Sequence, residues 1–167
     1  MTRWIVTSML LAACSGEVRA AAPVRVEPVQ AKPADTRIPL GERLSREAAS
    51  RPVRAVRMEQ LADALKGRGV VISRERQVLA SVLDASYCET ATTSRGLALS
   101  LCEFADADAA ERGLARSLTT FEPLIPGRAL DTRFNALLTV TQATDDEAAR
   151  ERELVRKTFA ALSPSER

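Results

Sequence analysis

The segment YCETATTSRGLALSLCEF, residues 87–104, predicts the central hairpin of the protein. Ser94-Arg95-Gly96 stands in its middle and predicts a three-residue hairpin loop with glycine in the left-handed position. The flanking segments then pair as antiparallel strands, with Ala91 opposite Leu99. One face of this hairpin is apolar and predicted to face the core; it carries Tyr87, Ala91, Leu97, Leu99 and Leu101.

Two of the three cysteines fall directly opposite each other in this register. Cys88 stands in the first strand and Cys102 in the second, and cross-strand neighbours lie about 4.5–5.5 Å apart, within disulfide distance. We expect a disulfide that closes a loop of about 15 residues and stabilises the fold by about 3 kcal/mol. A redox-active pair is the alternative, but the chain has no Cys-x-x-Cys motif and no His, which favours a structural bond.

A second hairpin is predicted further along the chain. A strand over residues 130–133 leads to a tight bend at Phe134-Asn135, and the return strand covers residues 136–142, where core and outward positions alternate. The two hairpins echo each other, since Leu99 matches Leu138 and Leu101 matches Val140 at the same offset along the sequence.

A helix is predicted after each hairpin. The first begins at Asp106. The second begins with a Thr-x-x-Glu capping box at residues 144–147 and runs to about Leu162. Two strand–turn–strand–helix units side by side predict a two-layer α+β domain over residues 58–167, with a four-stranded antiparallel sheet and helices on one face.

The segment before the first hairpin adds smaller elements to this domain. Residues 58–66 place apolar side chains at helical spacing and predict a helix that ends at Gly67 or Gly69. Val70-Val71-Ile72 is a short β-branched run and predicts an edge strand.

Residues 14–57 have the composition of a tether. Proline blocks both a helix and a strand ladder, so an extended spacer is predicted, with one short helix over residues 41–49. The interrupting prolines are Pro23, Pro28, Pro33, Pro39 and Pro52.

The tether is also basic. Residues 15–57 hold nine Lys and Arg against five Asp and Glu, a net of +4, whereas residues 58–167 hold 14 against 17, a net of −3. A basic tether could lie against anionic headgroups. Because the arginines are spread rather than clustered, a solvated linker is the favoured interpretation.

The N-terminus carries the most specific motif. Residues 1–13 combine one positive charge with a short apolar run, which predicts a secretory signal. The run ends Leu11-Ala12-Ala13-Cys14, which resembles the lipobox of bacterial lipoproteins. The resemblance implies cleavage between Ala13 and Cys14, acylation of Cys14 and attachment to a membrane, with Ser15 favouring the periplasmic face of the outer membrane over the inner membrane. An ordinary signal peptide with an accidental Cys is the alternative.

The mature domain resembles, in outline, the small α+β domains of bacterial envelope lipoproteins. In those domains a Leu-rich helix precedes a hairpin and an Asp- and Ala-rich helix. This resemblance carries no catalytic residue.

The composition excludes several classes of function. Among 167 residues there are no His and three Cys, which removes His-based catalysis and a four-thiolate zinc site. A net charge of +2 and an aromatic content of 4% do not suit nucleic-acid recognition. We expect no metal, no cofactor and no nucleic-acid partner.

Two small groups of polar residues are candidates for chemistry. Glu89 falls on the leucine face of the first hairpin and Glu103 at its end, so a paired-carboxylate hydrolase is conceivable, although a solvated position at the rim is favoured. Arg128, Arg133 and Asn135 lie near the second turn and could bind an anion, although an exposed loop is favoured.

These observations predict a lipid-anchored envelope protein that is not an enzyme and that binds or scaffolds an envelope partner. The anchor would raise the effective concentration of the domain and the tether would set its reach. A carboxylate-based hydrolase is one alternative, which a closed concave pocket around the acids would favour. A carrier of a small hydrophobic ligand is the other, and it requires a cavity between sheet and helices.

Overall fold

The computed structural model describes residues 38–165, with the backbone alone for residues 74 and 75. The signal segment, Ala13, Cys14 and the first part of the tether lie outside the described residues. Within them the chain forms helices, strands and a 3-10 turn at Ala80–Val82. The helices are α1 Leu40–Ala49, α2 Met58–Lys66, α3 Ala107–Phe121 and α4 Asp146–Ala161, and the strands are β1 Ile72–Val78, β2 Tyr87–Thr93, β3 Ala98–Glu103, β4 Ala129–Arg133 and β5 Ala136–Val140.

The strands form one antiparallel sheet in the order β1-β2-β3-β5-β4, so the α+β class is confirmed. The predicted number of four strands was wrong, because β1 adds a fifth at the edge. The sequence pattern marks an edge strand only up to Ile72, whereas the strand begins there and continues through ISRERQV. Its charged centre breaks the apolar alternation by which a strand is recognised.

The predicted register of the first hairpin is confirmed. Cys88 pairs with Cys102 and Ala91 pairs with Leu99. Gly96 has a φ of 80°, the left-handed conformation that the predicted loop requires. The outer strand β1 is less regular, since its register against β2 shifts by one residue between Arg74 and Arg76.

The first face of the sheet carries the larger core. Helices α2 and α4 pack on it, and Val56 from the segment before α2 joins them. Both helices contribute their fully buried apolar side chains to this core. The sheet and helix residues that form it include Ala91, Leu99, Leu101, Leu138, Val140, Met58, Leu61, Leu65, Val155 and Phe159.

The second face carries a smaller core, and the prediction that all helices lie on one face was wrong. Cys88, Cys102 and Leu137 form a buried row across three strands, and α3 covers it with Ala110 and Leu114. A row of this kind would leave apolar surface in water unless an element packed on it. The domain therefore has helices on both faces of the sheet.

Part of the predicted tether belongs to this packed unit. The predicted short helix is present as α1, and its Glu47 accepts a hydrogen bond from the Ala80 amide at 3.1 Å. The Leu44 carbonyl accepts another from the Gln77 side chain at 2.8 Å. Because Val56 is also fully buried, the packed region begins before residue 58.

The N-caps of the two longer helices are aspartates. Asp106 accepts a hydrogen bond from the Ala109 amide at 2.7 Å, as expected for the start of α3. The cap of α4 is Asp145, which accepts from the Ala148 amide at 2.8 Å, and not Thr144 of the predicted capping box. Among residues 38–165, no helix has both the length and the apolar composition needed to cross a membrane.

Candidate functional site

The second face of the sheet is covered only in part, and the uncovered part forms a groove. Its floor is built from small side chains of the three inner strands. Thr90, Ser100 and Thr139 pair directly across β2, β3 and β5, with Ala98 and Thr141 in the next row. Because none of these side chains is large, space remains above the sheet beyond the row that α3 covers.

The walls of the groove are mainly apolar. The C-terminal half of α3 supplies Phe121, the segment after it supplies Ile125, and Val78 and Leu83 lie among the other lining residues. The cavity volume is about 350 Å³. Ile125 is 46% exposed and its chain neighbour Leu124 is 73% exposed, so apolar surface continues beside the groove. An open, apolar concavity between a sheet and a helix is a typical place for a small ligand.

The charged residues that line the groove are both basic. They are Arg76 and Arg128, and no Asp or Glu of the described part of the chain lines it. Arg76 is exposed, whereas the Arg128 side chain is only 4% exposed. The residues that line the groove therefore carry only positive charge, part of it in an apolar setting.

Arg128 is held by the end of α3. Its Nη1 donates to the Ser117 hydroxyl at 3.2 Å and its Nη2 donates to the Ser117 carbonyl at 3.1 Å. Glu122 Oε2 lies 3.5 Å from Nη2, and the guanidinium carbon lies 5.8 Å from the centre of the Phe121 ring. The remaining donor, Nε, is buried and has no hydrogen-bond partner.

The structure does not bring Arg128, Arg133 and Asn135 together into an anion site. Arg133 donates to the Leu162 carbonyl at 3.3 Å, and Asn135 donates to the Phe104 carbonyl at 2.8 Å. The favoured interpretation of an exposed loop was wrong for Arg128 and Asn135, because the Arg128 side chain is only 4% exposed and Asn135 is buried. Both side chains donate hydrogen bonds to backbone carbonyls of distant segments, and a local sequence pattern does not predict such bonds.

The two candidate carboxylates lie on the other face of the sheet, away from the groove. Glu89 and Glu103 are 4% and 0% exposed, so the favoured solvated rim position was wrong. Arg51 Nε lies 3.1 and 3.2 Å from the two carboxylate oxygens of Glu103. Arg51 Nη1 also donates to Glu59 at 3.0 Å. The guanidinium lies 4.1 Å from the centre of the Tyr87 ring.

This network changes the ionisation of its members. Burial raises the pKa of the Glu103 carboxyl above its ordinary value, against the opposing effect of the Arg51 hydrogen bonds and charge. Burial alone would lower the pKa of Arg51, but its hydrogen bonds to Glu103 and Glu59 outweigh that effect and raise it. Burial also raises the pKa of Tyr87, and the charge of Glu89 adds to the shift. The network fixes the segment before α2 onto the sheet.

Cys88 and Cys102 are joined in the structure at an S–S distance of 2.05 Å, consistent with the predicted disulfide. The bond lies on the second face, in the row next to the groove floor, where the Ser100 hydroxyl is 4.0 Å from the Cys102 sulfur. It therefore ties together two of the three strands that form the floor. Ala13 and Cys14 lie outside the described residues.

A second concavity lies on the opposite side of the domain. Its volume is about 600 Å³, and its lining residues include Arg95, Arg150, Glu147 and Glu151. Arg95 contacts both glutamates, with Nε 3.8 Å from Glu151. The charges of this cleft neutralise one another, so it offers less selectivity for a ligand than the groove does.

No group of three His, Cys, Asp or Glu side chains within residues 38–165 is arranged to hold a metal ion.

The sequence carried a signal for the groove that the prediction did not use. Alternate positions of both hairpins are small on one face, and a sheet face of small residues below an amphipathic helix leaves room for a ligand. No protein-family model matches the chain, and comparisons with curated proteins and with solved structures found no match.

Proposed function

We propose that the protein is a lipid-anchored cell-envelope protein on the periplasmic face of the outer membrane that acts as a non-catalytic binding module. Its binding surface is the groove between the second face of the sheet and α3, and its ligand is a small, largely apolar molecule. The observation that carries this proposal is the groove itself, with its floor of small side chains and its apolar walls.

The membrane anchor rests on the N-terminal sequence. The lipobox resemblance at residues 11–14 supports acylation of Cys14, and two or more acyl chains anchor a protein stably. The disulfide distance between Cys88 and Cys102 supports the same location, since disulfides persist mainly in exported proteins. An anchored binding module acts by raising the local concentration of its ligand near the membrane.

The dimensions of the groove favour a small ligand over a protein partner. A volume of about 350 Å³ lies at the lower end of the range of small-molecule pockets. Stable protein interfaces use a much larger, shallower surface. The hydrolase alternative gains no support from the candidate carboxylates, because Glu103 is fully buried and engaged by Arg51.

The anchor is tested by the Cys14→Ala variant in cells. Loss of the acylated thiol should move the protein from the membrane fraction to the soluble fraction. Cys88→Ala is the matched control, since it removes a cysteine without touching the anchor. A Cys14→Ala protein that still requires detergent for extraction would contradict the lipoprotein proposal.

The groove is tested by filling it. Binding is measured on the full mature chain carrying Cys14→Ala, which has no acyl anchor and can be studied without detergent. The neutral apolar probe is 1-decanol. Thr139→Leu places a large side chain on the groove floor and should abolish binding, whereas Thr119→Leu makes the same substitution at an exposed site on α3. Calorimetry or chemical-shift perturbation reports binding. Equal affinity of the two variants would show that the probe binds elsewhere.

A further inference from the structure

We infer that the groove selects an anionic single-chain amphiphile, a fatty carboxylate of about ten carbons, with the head group at Arg128. This inference rests on the proposed function and deepens it by naming the class of ligand. It joins three features of the groove, which are the charge of its lining, the buried guanidinium of Arg128 and its volume.

The first feature is the sign of the charge. Arg76 and Arg128 line the groove without any acidic residue, although residues 38–165 hold equal numbers of basic and acidic residues, 18 of each. A positive lining on a domain of balanced charge favours an anionic ligand and disfavours a cationic one.

The second feature is the buried guanidinium of Arg128. Its Nη atoms donate hydrogen bonds to Ser117. The carboxylate beside the guanidinium belongs to Glu122, whose side chain is 46% exposed. Its Nε is buried without a partner, and a buried donor left unpaired is costly. A ligand carboxylate at this end of the groove would pair with the charge of the guanidinium, since Arg128 lines the groove.

The third feature is the space for the rest of the ligand. At about 30 Å³ for each water-sized atom, 350 Å³ holds about twelve non-hydrogen atoms, which is the size of decanoate. The floor offers the methyl groups of its threonines and of Ala98 below mainly apolar walls, and the Thr90 hydroxyl already donates to the Arg76 carbonyl at 3.1 Å. A methylene chain suits this floor better than a polar ligand does.

The test compares three ten-carbon probes on the full mature chain carrying Cys14→Ala: decanoate, 1-decanol and decyltrimethylammonium. Decanoate should bind roughly tenfold or more tightly than decanol, because a hydrogen bond to a charged group is among the stronger ones. Decyltrimethylammonium should bind more weakly than decanol. Arg128→Met should abolish the preference of the groove for decanoate over decanol, while Arg112→Met, at an exposed site on α3, should leave that preference intact.

A second measurement uses the unsubstituted binding site, in case Arg128→Met does not fold. The advantage of decanoate over decanol should disappear as the pH falls and the ligand carboxylate is protonated. If decanol binds but decanoate binds no better, the inference is wrong and the proposed function stands. If no probe binds, the proposed function fails. Tighter binding of decyl phosphate than of decanoate would overturn the assignment to a carboxylate, and probe-induced dimerisation would assign the groove to a second copy.

Discussion

Arg51 and Glu103 lie 52 positions apart, yet the Arg51 guanidinium reaches both oxygens of a carboxylate that has no exposed surface. Arg51 comes from the segment that links α1 to α2, and Glu103 is the last residue of β3. The ion pair therefore fastens the N-terminal side of the domain to the centre of the sheet. A buried pair of this kind is costly to break from one side, because the remaining charge has no water around it.

Removal of Arg51 should destabilise the protein strongly. Arg51→Met leaves Glu103 buried without its partner, and we expect a loss of about 3–5 kcal/mol in the free energy of unfolding, measured by urea denaturation. Arg46→Met is the control, since the Arg46–Glu42 pair is exposed and should contribute about 0.5 kcal/mol or less. Equal effects of the two substitutions would contradict the burial argument.

The same variant should respond to pH in a defined direction. Burial already raises the pKa of Glu103 above its ordinary 4.5, and the loss of Arg51 removes an effect that lowers it. A carboxyl whose folded pKa is raised contributes stability below its unfolded pKa and loses it as the pH rises through the folded pKa. Arg51→Met should therefore recover part of its lost stability as the pH falls from neutral toward 4.5.

Loss of the disulfide should cost about 3 kcal/mol, the value expected for a closed loop of about 15 residues. The double variant Cys88→Ala/Cys102→Ala and the reduced wild type should show similar urea midpoints, both below that of the oxidised protein. Reductant should not affect the double variant. A wild-type midpoint that is insensitive to reductant, or a free thiol detected by mass analysis, would contradict the prediction.

The only tyrosine of the chain offers a direct titration. Burial, followed by the charge of Glu89, raises the pKa of Tyr87 above its ordinary 10.0. The phenolate absorbance of the folded protein should therefore appear at higher pH than that of the protein in urea. Since the folded pKa is the higher one, Tyr87 should reduce stability as the pH rises from 10.0 through its folded pKa. Coincident titration curves would refute the burial of the phenol.

Gly113 permits the close approach of α3 to the Phe104 ring. A Cβ at this position would overlap the fully buried ring, so Gly113→Ala should destabilise the protein by about 1–3 kcal/mol despite the higher helix propensity of alanine. Gly41→Ala is the control, since a Cβ at Gly41 meets nothing within 4 Å. Thermal unfolding measures both; a neutral Gly113→Ala would mean that the ring has room to move.

Asp145, the N-cap of α4, should make a contribution to stability that depends on pH in the acidic range. The Ala148 amide, which donates to Asp145, lowers the pKa of that carboxyl below its ordinary 3.8. A carboxyl with a lowered folded pKa stabilises the protein above its unfolded pKa and loses this effect as the pH falls through the folded pKa. Asp145→Asn should therefore lower stability at neutral pH but not in strong acid, as followed by circular dichroism. Asp63→Asn, at an exposed site within α2, controls for the change of charge.

The first hairpin was predictable because its information is local. A short loop with Gly96 and the alternation around it fix the pairing of Cys88 with Cys102. The side on which each helix packs is not local information. The two hairpins share the same spacing of leucines, yet α3 packs on the second face and α4 on the first.

The candidate site was less predictable for the same reason. The groove exists because α3 covers one row of side chains on the second face of the sheet and leaves the next row uncovered. The position of α3 depends on how the helix and all the strands pack together, and not on a local segment of sequence. The contact of Arg51 with Glu103 spans 52 positions, so no window of sequence contains it. The local pattern did place Glu89 on the leucine face, and the structure shows that this register was right.

The irregularity in β1 decides which way that strand's side chains turn. Successive side chains of a strand point to opposite faces of the sheet. One extra residue in the strand therefore reverses the face to which each of the preceding side chains points. It lets Ile72, which pairs with Thr93, join the core while Ser73 faces away; if all the residues of β1 paired with β2 without the bulge, Ser73 would lie opposite Thr93 and the two side chains would exchange faces. The bulge also interrupts the regular hydrogen-bonding pattern of this edge strand. A strand of another molecule therefore pairs poorly with β1, and the same extra residue protects the edge of the sheet against self-assembly into fibres.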